Sequence, residues 1–150
     1  ALNDEKIPIF GDGKQIRDWL YVDDHSEALL AIAQSGKKNE TFNIGTKNTI
    51  DNLTLVKQIC TLIDEISPRS DGSSRLNLIT FVKDRPGHDK HYAIDPTKLH
   101  KEIGWQSKRI FKDALKDTVL WYLNNAQEVE EMMKGESSLN RIGLNIRTNN

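Results

Sequence analysis

Two glycines within three positions, in the run "PIFGDGKQIRDW" from Pro8 to Trp19, set the tightest local constraint on this chain. Asp-Gly favours a sharp reversal because glycine tolerates a positive φ. Pro8–Phe10 before it and Gln15–Val22 after it both read as extended, so the stretch predicts a hairpin. The same letters also begin a dinucleotide fingerprint, G-x-G-x-x-G, with Ile16 where the last glycine belongs. That loop needs a buried strand before it and a helix opening at it. Here a proline, which cannot donate to a central ladder, precedes the glycines. Aromatic and β-branched residues at strand spacing follow them. The glycines are therefore expected to turn the chain, not to cradle a cofactor. The second arm presents Arg17, whose guanidinium could pair bidentately with a phosphate or serve as a surface cation against Asp18 or Asp12.

At 150 residues the chain has the length of one ordinary domain, and its formal net charge is -1. That balance argues against a generic nucleic-acid or membrane surface, so any anion must be met by a few placed cations. The single Cys60 cannot close an internal disulfide, which points to a reducing, cytoplasmic setting. No apolar run approaches the roughly 20 residues of a membrane span. The opening "ALNDEKIPIF" has neither an initiating Met nor a signal pattern and reads as if in mid-chain.

Helices and strands alternate along the rest. Asp24 with Glu27 makes a capping-box pattern for a helix that Gly36 stops. "TFNIG", Thr41–Gly45, reads as a short buried strand. Leu53, Val56, Ile59, Cys60, Ile63 and Ile66 recur at helical spacing up to Pro68, with Cys60 as an apolar filler. Leu76–Val82 reads as a strand. In "DPTKLHKEIGW", Asp95 caps a helix, Pro96 opens it and Gly104 ends it. Helices follow over about 111–124 and 126–134, and residues 135–150 are expected to fray. The class is α/β or α+β, with too few strands for a complete sheet. Trp19, Trp105 and Trp121 are expected to pack, and His25 and His100 to be surface or structural residues.

The loop "RPGHDKH" is the second candidate for chemistry. Pro86-Gly87 favours a type II turn, which sets Arg85 and His88 side by side. His88 and His91 have no further ligand cluster to complete a metal site, so no metal is expected. Asn52 reads as an ordinary helix cap. The acid pairs Asp4-Glu5 and Asp64-Glu65 read as solvated charges. Tyr21, Tyr92 and Tyr122 are followed four positions on by His25, Pro96 and Ala126, so the chain has no Tyr-x-x-x-Lys pair.

"PIFGDGKQIRDWLYVDDHSEAL", "TFNIG", "RPGHDKHYAID" and "IGW" before an aromatic-rich helix together resemble the C-terminal portion of the dTDP-glucose 4,6-dehydratases. These belong to the extended short-chain dehydrogenase/reductase superfamily of nucleotide-sugar enzymes. The resemblance runs from about Ile7 to Asn124. It implies an α/β fold comprising the last strands of a Rossmann sheet and a small substrate-binding domain over residues 1–134, without the Rossmann half. It implies NAD in the parent enzyme, at a site outside this chain, and a dTDP-sugar as substrate, with a missing Rossmann half or a homodimer mate as partner. By motif match, Pro8 and Phe10 would border the thymine, with Phe where Tyr is usual. Arg17 would bind the diphosphate and Asn52 would add a polar contact, while Arg85 and His88 would complete the phosphate and ribose contacts. The implied lyase reaction yields a 4-keto-6-deoxy sugar nucleotide, a precursor of deoxyhexoses such as rhamnose, and the chain alone is expected to be inactive. A non-catalytic dTDP-sugar-binding or interaction module, or the matching part of a UDP-sugar epimerase or decarboxylase, are the alternatives.

Overall fold

A computed structural model describes residues 1–135, as two compact units, Ala1–Val119 and the segment from Leu120 onward. The expected tail lies outside the described residues, apart from the last residue of the final helix. The first unit holds β1 (Ile7–Phe10), β2 (Ile16–Asp18), α1 (Val22–Gln34), β3 (Thr49–Asp51), α2 (Asn52–Ile66), a 3-10 turn (Arg75–Leu78), β4 (Ile79–Val82) and α3 (Thr97–Ile103). Helix α4 (Phe111–Asn124) runs from the first unit into the second, which also contains α5 (Ala126–Gly135). In that second unit Trp121 and Tyr122 meet edge to face at 5.0 Å. Trp121 is half exposed, so of the three tryptophans it departs from the expected packing role.

The class is α/β, but the hairpin does not form. β1 pairs in parallel with β4, Ile7 opposite Ile79 and Phe10 opposite Val82. β2 pairs antiparallel with β3, Ile16 opposite Asp51 and Asp18 opposite Thr49. A parallel partner requires a crossover, here one that contains α2. The turn between the two strands is held by that helix. Leu53 N donates to Gly13 O at 3.0 Å, and a Cβ on Gly13, whose φ is +73°, would stand 2.7 Å from Ile9 Cγ2 and 2.8 Å from Leu53 Cβ. The chain thus enters a slot under the start of α2 and leaves it toward a different sheet. On its other side Ile16 meets residues 90–92, donating to Lys90 O at 2.9 Å and accepting from Tyr92 N at 3.0 Å.

Helix α2 buries Cys60 and Ile63 of its expected stripe together with Leu55, which lies outside it, while Ile66 at its end is exposed. Burial pushes the Cys60 thiol up from its ordinary value. The cap of α2 is Asp51, which accepts from Thr54 N at 2.8 Å; Asn52 is the first helical residue and not the cap. Helix α3 ends at Gly104 as expected, but its cap is Pro96 and its first residue Thr97; Asp95, one position further out, accepts from Thr97 N at 3.1 Å without being the cap. Asp24 does not cap α1. It lies inside the helix, 3% exposed, and accepts from Ser107 Oγ at 2.5 Å and from Arg109 N at 3.4 Å. "TFNIG" joins no ladder; Phe42 and Ile44 instead pack half-buried against the core of Ala28, Leu99 and Trp105. The first half of the strand expected over Leu76–Val82 is the 3-10 turn.

Asp64 is not a solvated charge. It binds Arg75, which is only 7% exposed, through Nη1 at 2.8 Å and the backbone N at 2.8 Å. Burial pushes the Asp64 carboxyl up, yet the hydrogen bonds from Arg75 and Ser74 together outweigh it and hold it below the usual carboxylate range. Asp4 likewise pairs with Arg69 at 3.1 Å.

Candidate functional site

Side chains alternate along a strand. Pro8 and Phe10 therefore share the face of β1 opposite the buried Ile9. Gln15 and Arg17 share one face at the start of β2, and Ile16 and Asp18 take the other. Asp18 turns to the 46–47 loop and accepts from Thr46 Oγ1 at 2.6 Å, Thr46 N at 3.2 Å and Lys47 N at 3.1 Å. Asp12 faces Lys14. Neither acid meets Arg17, which corrects the surface-pair alternative. Among the described residues the Arg17 guanidinium has one hydrogen bond, to the carbonyl of Ile16 at 2.7 Å, and no carboxylate partner.

Gln15 joins the separate motifs. Its carbonyl oxygen accepts from Asn52 N at 3.1 Å, which brings Asn52 beside the Arg17 strand. Its Nε2 donates to Asp84 Oδ2 at 3.3 Å. Asp84 Oδ1 lies 2.7 Å from His88 Nδ1, and the His88 side chain is only 8% exposed. The Pro86-Gly87 turn forms with Gly87 at φ +67°, so Arg85 and His88 flank it as the spacing predicts. The Arg85 side chain is exposed and has no partner among the described residues. The hydrogen bond from His88 holds the Asp84 carboxyl below its ordinary value, against a smaller upward effect of burial. Gln15 and Asp84 carried no motif signal. Only the alternation with Arg17 could have placed Gln15 on this face.

The glycine turn does not fit a dinucleotide. The N–H groups of Asn52, Leu53 and Thr54 at the start of α2 are taken by Gln15 O, Gly13 O and the Asp51 carboxylate. A Cβ on Gly11 would meet Asp84 Oδ2 at 2.8 Å, so a carboxylate stands where a pyrophosphate would have to approach. An anion at this face must be held by side chains. A second basic surface, a hollow of about 330 Å³, is lined by Lys47, His100, Lys101, Trp105 and Arg109 among others. Its cations are largely met already: Lys47 pairs with Asp95 at 3.5 Å, and Arg109 pairs with Asp117 at 2.6 Å and stacks on Tyr21. Among the described residues, Arg17 and Arg85 are the arginines whose guanidinium groups have no carboxylate partner.

Residues 1–118 match the family model described as GDP-mannose 4,6 dehydratase. The chain is 44% identical over 146 residues to dTDP-glucose 4,6-dehydratase of Xanthomonas campestris pv. campestris, covering 97% of this chain and 42% of that protein. The chain thus spans about two fifths of the length of the curated relatives it matches. Among solved structures it is similar to dTDP-glucose 4,6-dehydratase from Bacillus anthracis in complex with NAD (TM-score 0.69, 36% identity, 84% of this chain and 37% of that one). It is also similar to UDP-glucose 4-epimerase from Thermotoga maritima with UDP-glucose (TM-score 0.67, 33% identity, 83% and 37%). The α/β arrangement is that of the extended short-chain dehydrogenase fold.

Proposed function

The chain belongs to the GDP-mannose 4,6-dehydratase family, and from that premise we propose that it holds the nucleoside diphosphate of a dTDP-glucose donor for a 4,6-dehydratase reaction. The observation that carries this reading is Arg17. It is a guanidinium on a paired strand that has no carboxylate partner among the described residues, in a chain whose acids outnumber its bases. Arg17 and Arg85 supply donors to the diphosphate oxygens, where bidentate geometry gives both strength and register. Phe10, with Pro8 on the same face of β1, offers an apolar surface to the thymine. Asn52 and His88 add polar contacts. Binding energy spent on the nucleotide, remote from the reacting carbons, fixes the hexose in place for the chemistry. These residues anchor and orient; no Tyr-x-x-x-Lys pair occurs in the 150 residues, and the glycine turn does not fit NAD. The predicted role is therefore binding, without turnover of dTDP-glucose by this chain alone.

Calorimetric titration of the chain with dTDP tests the reading. Binding is expected, with Arg17→Ala weakening it about 30-fold, the worth of a charge-assisted hydrogen-bonded contact. Absence of dTDP binding, or an Arg17→Ala variant that binds as well, would sink it. The likeness to an epimerase solved with UDP-glucose favours a second reading, in which the donor carries uridine. Competition of UDP against dTDP on the same chain decides between them.

A further inference from the structure

Gln15 is 6% exposed, and its Oε1 is buried without a hydrogen-bond partner among the described residues. Such an orphaned carbonyl is destabilising and calls for a reason. Turning the amide over does not rescue it, because its carbonyl would then face the Asp84 carboxylate, acceptor against acceptor. The orientation is dictated by Asp84, to which Nε2 donates. Gly11 leaves the room this needs, since a Cβ there would lie 2.8 Å from Asp84 Oδ2. The other oxygen of Asp84 faces His88 Nδ1 at 2.7 Å. An ionised carboxylate only accepts, so Nδ1 carries a proton, and in the neutral ring the lone pair is at Nε2. Among the described residues Nε2 has no hydrogen-bond partner.

We propose that Gln15 and Asp84 are positioning residues that lock the His88 imidazole in the Nδ1–H form, so that Nε2 accepts a hydrogen bond from a hydroxyl of the bound donor and does not donate one to a phosphate. The phosphates are left to Arg17 and Arg85, which have donors only. The ligand half of this proposal rests on the nucleotide-binding reading above; the locked tautomer does not.

The tautomer is read from long-range ¹H–¹⁵N spectra of the ¹⁵N-histidine-labelled chain at a pH where the rings are neutral. The chain has four histidines, and loss of one signal set in His88→Gln assigns the residue. His88 is expected in the Nδ1–H form, opposite to the preference of a free histidine side chain in water. Asp84→Ala and Gln15→Leu are expected to return it toward Nε2–H. A wild-type His88 in the Nε2–H form overturns the proposal without recourse to any variant, as does an Asp84→Ala spectrum that keeps Nδ1–H. In calorimetry, Asp84→Ala and His88→Ala should each weaken the ligand about tenfold, with the double variant no weaker than His88→Ala. Losses that add overturn a role exerted through His88. A loss seen with both dTDP and dTDP-glucose assigns the hydroxyl to the deoxyribose, and a loss with dTDP-glucose alone assigns it to the hexose. A loss with neither overturns the contact. Failure of the wild-type chain to bind dTDP overturns the nucleotide reading and with it the contact, while the spectrum still decides the tautomer.

Discussion

Arg17 and Asp18 are neighbours on one three-residue strand, and their polar groups meet opposite fates. Asp18 is engaged by a hydroxyl and two backbone N–H groups of the 46–47 loop, and Lys47 there adopts a left-handed φ of +63°. Arg17, facing the other way, reaches only the carbonyl next to it among the described residues. The strand is the same, so exposure or mobility of the backbone does not explain the contrast. A polar group that fastens the fold has its partners inside the chain. Under the proposed reading, the remaining donors of Arg17 serve the diphosphate. Arg75 repeats the first case, being buried and bound to Asp64, Ser67 O and Ala1 O.

The contrast can be broken by substitution. The largest effect is expected from Asp18→Ala, which strips the loop of its anchor and leaves Lys47 in an unsupported left-handed conformation. It should cost about 3 kcal/mol in chemical denaturation, with Asp18→Asn intermediate because its carbonyl still accepts. If Asp18→Ala were neutral, satisfaction by hydrogen bonds would not mark a structural residue here.

A smaller effect separates helix capping from ligand binding at the same end of the site. Asp51→Ala should cost about 1 kcal/mol. It should also flatten the acid limb of the stability curve. The hydrogen bond from Thr54 holds the Asp51 carboxyl below its ordinary value. A depressed folded-state value means that its stabilisation is fully present above the unfolded value, about 3.9, and is lost as pH falls through the lower folded one. Asp64 acts in the same direction. Denaturation midpoints measured between neutral pH and pH 2 should fall less steeply in Asp51→Ala than in the wild type.

The smallest effect is the most telling. Arg17→Ala should change folding stability by no more than about 0.5 kcal/mol while removing most of the dTDP affinity. A large loss of stability would move Arg17 into the same class as Asp18.

What could be read in the sequence follows the range of the interactions. The helical run of α2, with Cys60 and Ile63 buried, and the Gly104 stop of α3 are local, and the structure keeps them, while the cap of α3 shifts from Asp95 to Pro96. The Pro86-Gly87 turn is local as well. β3 is three residues with a single apolar side chain, Ile50, paired with β2 across the ladder, and nothing nearby announces it. The hairpin expectation failed for the same reason, since the partner of β1 is β4, beyond two intervening helices. Asp24 shows the converse error, a good capping pattern overridden by a tertiary partner at Ser107. At the candidate site, Arg17, Arg85 and His88 have residue chemistry that can be named in advance. Gln15 and Asp84, which join them, do not, because their roles exist only after a contact across 69 residues has formed.

That separation has a consequence for how the protein is made. When the glycine turn leaves the ribosome, neither the strand that pairs with β1 nor the carboxylate that meets Gln15 has been synthesised. At about 5–20 residues per second the turn must wait several seconds for them. Until then Ile9 and the edge of β1 have no ladder, and closing so long a loop makes this corner slow to assemble. The site face is thus one of the last parts of the chain to gain its shape. Its maturation should be the step at which a nascent chain most depends on protection from other chains.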